Sequence, residues 1–141
     1  MSENTTITND TTSPKAGAGK PLAGAVTWFE VGTPDPEGAR RFYGELFGWT
    51  FDVQGPYSIV KTGADHPLPG GIQDTRVSPE GTPATYAVPC VQVDDVAETC
   101  RKVEALGGTV LVPATTVPTG LVYAHVVDST GGHVGLWTPP A

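Results

Sequence analysis

Basic residues are scarce in this chain. Eight Lys and Arg stand against fifteen Asp and Glu, a formal charge of −7 at pH 7. A surface of that sign repels phosphate backbones and anionic lipid, so neither nucleic acid nor a membrane is expected as a partner. Cysteine is almost absent. Cys90 and Cys100 lack metal-type spacing and fall on a predicted strand and a predicted helix, so nothing argues for a disulfide framework. Long apolar runs are missing too, and no segment reaches the length a membrane span needs. Residues 1–22 are mostly Thr, Asn, Ser, Gly and Ala, without the hydrophobic stretch of a secretory signal. A flexible tail on a cytoplasmic, reduced protein is the expectation. Gly-x-Ser-x-Gly does not occur, which removes support for a hydrolase nucleophile elbow. Ala16-Gly17-Ala18-Gly19-Lys20 has no strand before it and Pro21 after it, so it reads as a linker rather than a phosphate loop.

Glycine and proline, by contrast, are plentiful at 18 and 14, which suggests short elements joined by many turns. A length of 141 residues suits one domain. Within it runs an internal repeat at an offset of sixty residues: Val31, Asp35, Arg41, Leu46 and Gly48 recur as Val91, Asp95, Arg101, Leu106 and Gly108.

Both copies read as strand, helix, Gly stop, strands. In the first, Ala25–Val31 is a strand rich in Val, Thr and aromatics. Asp35 offers an N-cap, Pro36 the first helical position, and Gly48 the stop. Between them Ala39, Phe42, Tyr43 and Leu46 keep helical spacing, and strands follow near Thr50–Val53, Tyr57–Thr62 and Gly70–Gln73. In the second copy Thr85–Val93 is a strand whose Pro89 hints at a sheet edge. Asp95 and Glu98 have capping-box spacing, and Val96, Cys100, Val103 and Leu106 line one helical face. Strands then fit Thr109–Val112, Leu121–Val127 and His133–Trp137. The result is an α+β chain of two βαβββ modules, about 23–76 and 83–139, forming one domain over 23–141.

Trp28-Phe29-Glu30-Val31, Asp35, Phe42-Tyr43 and Leu46-Phe47-Gly48-Trp49 resemble the first module of the vicinal oxygen chelate superfamily, which holds glyoxalases, bleomycin-resistance proteins and extradiol dioxygenases. Val93-Asp94-Asp95-Val96, Leu106-Gly107-Gly108 and Asp128-Ser129-Thr130-Gly131 before Gly135-Leu136-Trp137 resemble the second. The resemblance implies that each module curls a four-stranded sheet into half a barrel, with helices outside and a small-molecule cavity inside. It also implies a homodimer.

Metal-dependent members of that family direct His, Glu or Gln side chains at one divalent ion. The family pattern places ligands seven residues before each helix-capping Asp, here Trp28 and Val88, and seven after the Asp of the last turn, here Gly135. The fourth position is Gly71 or Thr75, depending on the alignment chosen. Indole, alkyl and hydrogen offer a divalent ion no suitable lone pair, and Thr one weak oxygen at best. His66, His125 and His133 show no paired spacing. No metal and no cofactor are therefore expected.

Strand alternation nominates the remaining cavity residues. Val26 and Glu30 share a face with Trp28, while Phe29 and Val31 turn toward the helix carrying Phe42 and Leu46. Tyr86, Cys90 and Gln92 share a face with Val88. Leu121, Tyr123 and His125 point inward, and His133, Gly135 and Trp137 share one face of the last strand. Glycines at ligand positions would leave room for a flat guest. Glu30 reads either as a general acid or base with a raised pKa or as a partner for an Arg or a dimer contact. His125 is either a proton shuttle or a structural residue, and His133, beside a turn, is expected to be exposed. Trp28 and Trp137 could stack on a ligand and Tyr86 and Tyr123 orient it. Two functions follow: a metal-independent isomerase, lyase or cyclase acting on a small aromatic or carbonyl compound, or a protein that sequesters a drug or metabolite unchanged.

Overall fold

The computed structural model describes residues 22–141, so the expected tail lies, Leu22 apart, outside the described residues. The elements are β1 (Val26–Thr33), α1 (Pro36–Phe47), β2 (Thr50–Gln54), β3 (Tyr57–Lys61), β4 (Gly70–Asp74), a 3-10 turn (Thr75–Val77), β5 (Tyr86–Gln92), α2 (Val96–Ala105), β6 (Thr109–Thr116), β7 (Val122–Val127) and β8 (His133–Thr138). Each half is strand, helix, three strands. All eight strands join one sheet in the order β2-β3-β4-β1-β5-β8-β7-β6. The halves meet where β1 runs antiparallel to β5, with Trp28 opposite Cys90 and Glu30 opposite Val88. Inside each half the first strand lies parallel to the last, β1 to β4 and β5 to β8. The sheet is not closed: β2 and β6 are its two edges.

Both helices begin where the Asp signals place them. Asp35 accepts from the Gly38 N–H at 3.0 Å and Asp95 from the Glu98 N–H at 2.9 Å, each satisfying an amide with no partner inside its helix. Gly48 ends α1 at a φ of +78°, a conformation that disfavours a side chain. The capping box at α2 is only half made, because the Glu98 carboxylate turns to Arg101 at 2.6 Å instead of reaching back.

The two helices pack differently. Val96 and Cys100 of α2 are buried against Ala124, Val126 and Leu136, with Val103 beside them. No residue of α1 is buried. Phe42 and Leu46 were expected to meet the sheet, yet they are 61% and 58% exposed. Tyr43 of α1 stacks on Trp49, which packs on Phe29 of the sheet, and Arg40 reaches Ser58 at 3.1 Å. Phe42 meets Tyr43 edge-on and lines a hollow between α1 and the sheet.

Pro89 does not mark an edge. β5 is an interior strand, paired with β1 on one side and with β8 on the other. The parallel register with β8 runs over Cys90, Val91 and Gln92, so the missing N–H of Pro89 lies just outside that ladder. Val26 also departs from expectation. The register shifts between Val26 and Trp28, and Val26 is left 48% exposed, turned away from the cavity that Trp28 lines.

Candidate functional site

One cavity of about 580 Å³ draws its wall from both modules. β1 supplies Trp28 and Glu30, β3 supplies Tyr57 and Ile59, and β5 supplies Tyr86 and Cys90. From the second half come Tyr123 and His125 on β7 and Gly135 and Trp137 on β8. Val88 does not line the space. It is buried in a cluster with Tyr86 and Cys90, against Trp28 and Trp137. Gln92 lies outside the wall as well, its amide oxygen accepting from Thr27 Oγ1, which in turn accepts from Trp137 Nε1. A second hollow of about 380 Å³ lies between α1 and strands β1 and β5, and its one carboxylate, Asp35, is the α1 cap.

Among the described residues Glu30 is the only carboxylate on the main wall. Tyr57 Oη donates to its Oε1 at 2.9 Å and Tyr86 Oη to its Oε2 at 2.5 Å. Trp28 Nε1 donates to Tyr57 Oη at 2.8 Å, extending the chain of bonds by one member. An Arg partner, one of the alternatives for Glu30, is replaced here by two phenols. Burial pushes the Glu30 carboxyl above its ordinary value, and the hydroxyls of Tyr86 and then Tyr57 pull part of the way back. Burial, with the Glu30 charge behind it, raises both tyrosines and pushes the Cys90 thiol up to about 12. Cys90 is thus a neutral thiol with little nucleophilic character.

Tyr57 is the residue that inspection of the sequence missed. The signal was present in the glycines. A Cβ on Gly71 would lie 2.3 Å from the Tyr57 ring, one on Gly70 2.2 Å from the Phe29 ring, and one on Gly32 2.1 Å from Tyr86. A glycine inside a strand marks a close approach, and here each one houses an aromatic ring. The room expected for a guest at Gly71 is therefore filled by the protein itself. At Gly135 a Cβ would meet the Cys90 sulfur at 2.9 Å.

The histidines also depart from expectation. His133 is not exposed but half-buried, and its Nε2 lies 2.9 Å from His125 Nδ1, so two of the three histidines do form a pair. The sequence hides this because His125 and His133 sit on neighbouring strands joined by the Asp128 turn. Burial, and then His133, lowers His125 to about 4, and burial lowers His133 as well. Both shifts favour the neutral imidazole.

The profile of the Glyoxalase/Bleomycin resistance protein/Dioxygenase superfamily matches residues 25–134. The chain belongs to that superfamily. It is 32% identical over 125 residues to "Putative glyoxylase CFP32" of Mycobacterium tuberculosis, covering 81% of this chain and 45% of that protein. It is 29% identical over 136 residues to the anthracycline biosynthesis protein DnrV of Streptomyces peucetius, covering 81% and 46%. The chain thus spans less than half the length of these curated relatives. Among solved structures, methylmalonyl-CoA epimerase of Streptomyces coelicolor in complex with 2-nitronate-propionyl-CoA has the same fold. Its TM-score is 0.55 at 13% identity, covering 85% of this chain and 99% of that one.

Membership raises the question of the superfamily's metal, and the residues present do not fit one. Trp28 and Tyr57 point their polar atoms at each other, Val88 is buried and apolar, and Gly71 lies under a ring. Both oxygens of Glu30 already accept from phenols. Among the described residues no three His, Cys, Asp or Glu side chains come together as a metal site. Among those residues, too, no helix is long and apolar enough to cross a membrane.

Proposed function

We propose that this superfamily member is a metal-independent acid–base enzyme, of isomerase, lyase or cyclase type, acting on a neutral, flat aromatic or carbonyl compound. The observation that carries the reading is Glu30, a buried carboxyl fixed between Tyr57 and Tyr86 on the wall of a roomy cavity. Each carboxylate oxygen keeps a second lone pair, so a raised Glu30 can take a proton from a bound molecule and return it. The surroundings favour a neutral aromatic guest. Trp28 and Trp137, with ring centres 6.5 Å apart, offer stacking faces, and among the described residues no Lys or Arg lines the cavity to hold a phosphate or carboxylate. The relative named for anthracycline biosynthesis points to the same class, polycyclic phenols and quinones. Two copies pairing in the cytoplasm would match the greater length of the relatives.

The test incubates the purified protein with neutral hydroxyanthraquinones, with and without a chelator, and follows the mixture by mass spectrometry. Chelator-independent conversion that falls at least a hundredfold in Glu30→Gln, with the fold intact, is the expected result. Conversion that survives Glu30→Gln removes the assignment. One observation favours a second reading, a protein that sequesters its ligand unchanged: both Glu30 oxygens are already held by phenols. Tight binding with the ligand recovered intact would establish it.

A further inference from the structure

We infer that His133 makes His125 a neutral hydrogen-bond donor aimed into the cavity, where it takes a carbonyl or phenolic oxygen of the ligand. The inference rests on the cavity being a small-molecule site, as proposed above, but not on any role for Glu30. Three observations carry it. His125 lines the cavity and is buried, while His133 stands behind it at the start of β8, half-buried and next to the exposed Asp128–Gly132 turn. The two rings share one hydrogen bond, between His125 Nδ1 and His133 Nε2 at 2.9 Å. The Tyr86 ring packs on both imidazoles, at 5.2 and 5.0 Å between centres, and Tyr123 meets His125 edge-on at 5.8 Å. The rings are therefore held in place and cannot easily turn over.

One shared bond between two neutral imidazoles fixes both tautomers together. If His133 Nε2–H donates, His125 accepts at Nδ1 and must carry its own proton at Nε2. Both rings then have the Nε2–H form that a free imidazole prefers. The reverse direction would put both into the less favoured form. His125 Nε2 makes no hydrogen bond to the described residues. The only fully buried side-chain polar atom without a partner among them is Thr82 Oγ1, so His125 Nε2 opens onto accessible space. The remaining nitrogen of His133, Nδ1, is left as an acceptor toward solvent.

This arrangement can also pass a proton to a ligand oxyanion without leaving charge on either ring. As His125 Nε2–H passes its proton to an enolate or phenolate oxygen of the ligand, Nδ1 takes the proton of His133 Nε2, and His133 Nδ1 takes one from water, so the negative charge moves from the ligand to solvent. One N–H bond forms and one breaks on each ring, and the water is left as hydroxide in bulk solvent. An uncharged imidazole acting on a carbonyl polarises it without needing an acidic pH.

The test reads the ring nitrogens of the full-length, 15N-labelled protein by NMR at pH 7, without ligand. The expected result is a proton on Nε2 and none on Nδ1 of His125, with His133 in the same form. In His133→Phe, His125 should spread over both tautomers. The second measurement compares binding of 9-fluorenone with fluorene, the same flat frame without the oxygen. Wild type should favour the ketone about tenfold, the worth of one good hydrogen bond. That preference should vanish in His125→Phe and shrink several-fold in His133→Phe, whose side chain does not line the cavity. An unprotonated His125 Nε2 overturns the inference, as does a ketone preference that survives in His125→Phe or failure of both compounds to bind. Loss or persistence of turnover in Glu30→Gln changes none of these readings, so the two proposals fail separately.

Discussion

Replacing His125 by Phe should flatten the acid limb of the protein's stability curve. In the folded chain the buried ring of His125 titrates at about 4, against 6.5 ordinarily, with burial the larger cause and His133 the second. Between those values the unfolded chain binds a proton that the folded chain refuses. Stability from this group is therefore complete above about pH 7, falls as the pH drops through 6.5, and levels off below 4. At about 1.4 kcal/mol per pH unit the loss is about 3 kcal/mol, a large share of the 5–15 kcal/mol typical of a domain. Glu30 works in the opposite direction. Its carboxyl is raised, so its ionisation opposes folding as the pH climbs, and wild type alone would show the sum of the two. The comparison that isolates His125 is wild type against His125→Phe, each unfolded in urea at pH steps from 7.5 to about 4 and followed by tryptophan fluorescence. Wild type should lose about 3 kcal/mol more than the variant over that span. Parallel curves would refute the buried, neutral ring on which the His125–His133 pair depends.

The glycines under aromatic rings make a second test. In Gly71→Ala the new methyl group would lie 2.3 Å from the Tyr57 ring, which must move and give up its bonds to Trp28 and Glu30. Urea unfolding should show a loss of about 1–3 kcal/mol, and stability equal to wild type would mean that Tyr57 stands elsewhere. Cys90, buried and pushed up to about 12, should resist a thiol reagent at pH 8 in the native protein and react promptly in denaturant. Rapid native labelling of Cys90 would show that its pocket opens readily.

The parts of the protein legible in the sequence are those encoded by neighbours along the chain. Asp35 and Asp95 cap, Gly48 stops, and Val96, Cys100 and Val103 share one helical face; each depends on residues within a turn or two of one another. The αβ order of both modules and the inward side of β7 follow for the same reason, since a strand alternates whatever lies beyond it. Expectations that needed knowledge of a neighbouring strand fared otherwise. Pro89 sits in an interior strand because the parallel ladder beside it begins one residue later. Phe42 and Leu46 stay largely exposed, and Tyr43 through Trp49 and Arg40 make the contacts to the sheet instead.

For the site the division falls in the same place. Trp28, Glu30, Tyr86, Tyr123 and Trp137 could be placed on inward strand faces from the sequence, because their spacing alone sets the side on which they lie. The bonds among them could not. Glu30 meets Tyr57 across 27 residues and Tyr86 across 56, and His125 meets His133 only because β7 and β8 pair in one register. A carboxyl between two phenols and a histidine backed by another histidine are products of strand order and stagger. Local periodicity carries no information about either, because it is blind to which strand lies alongside.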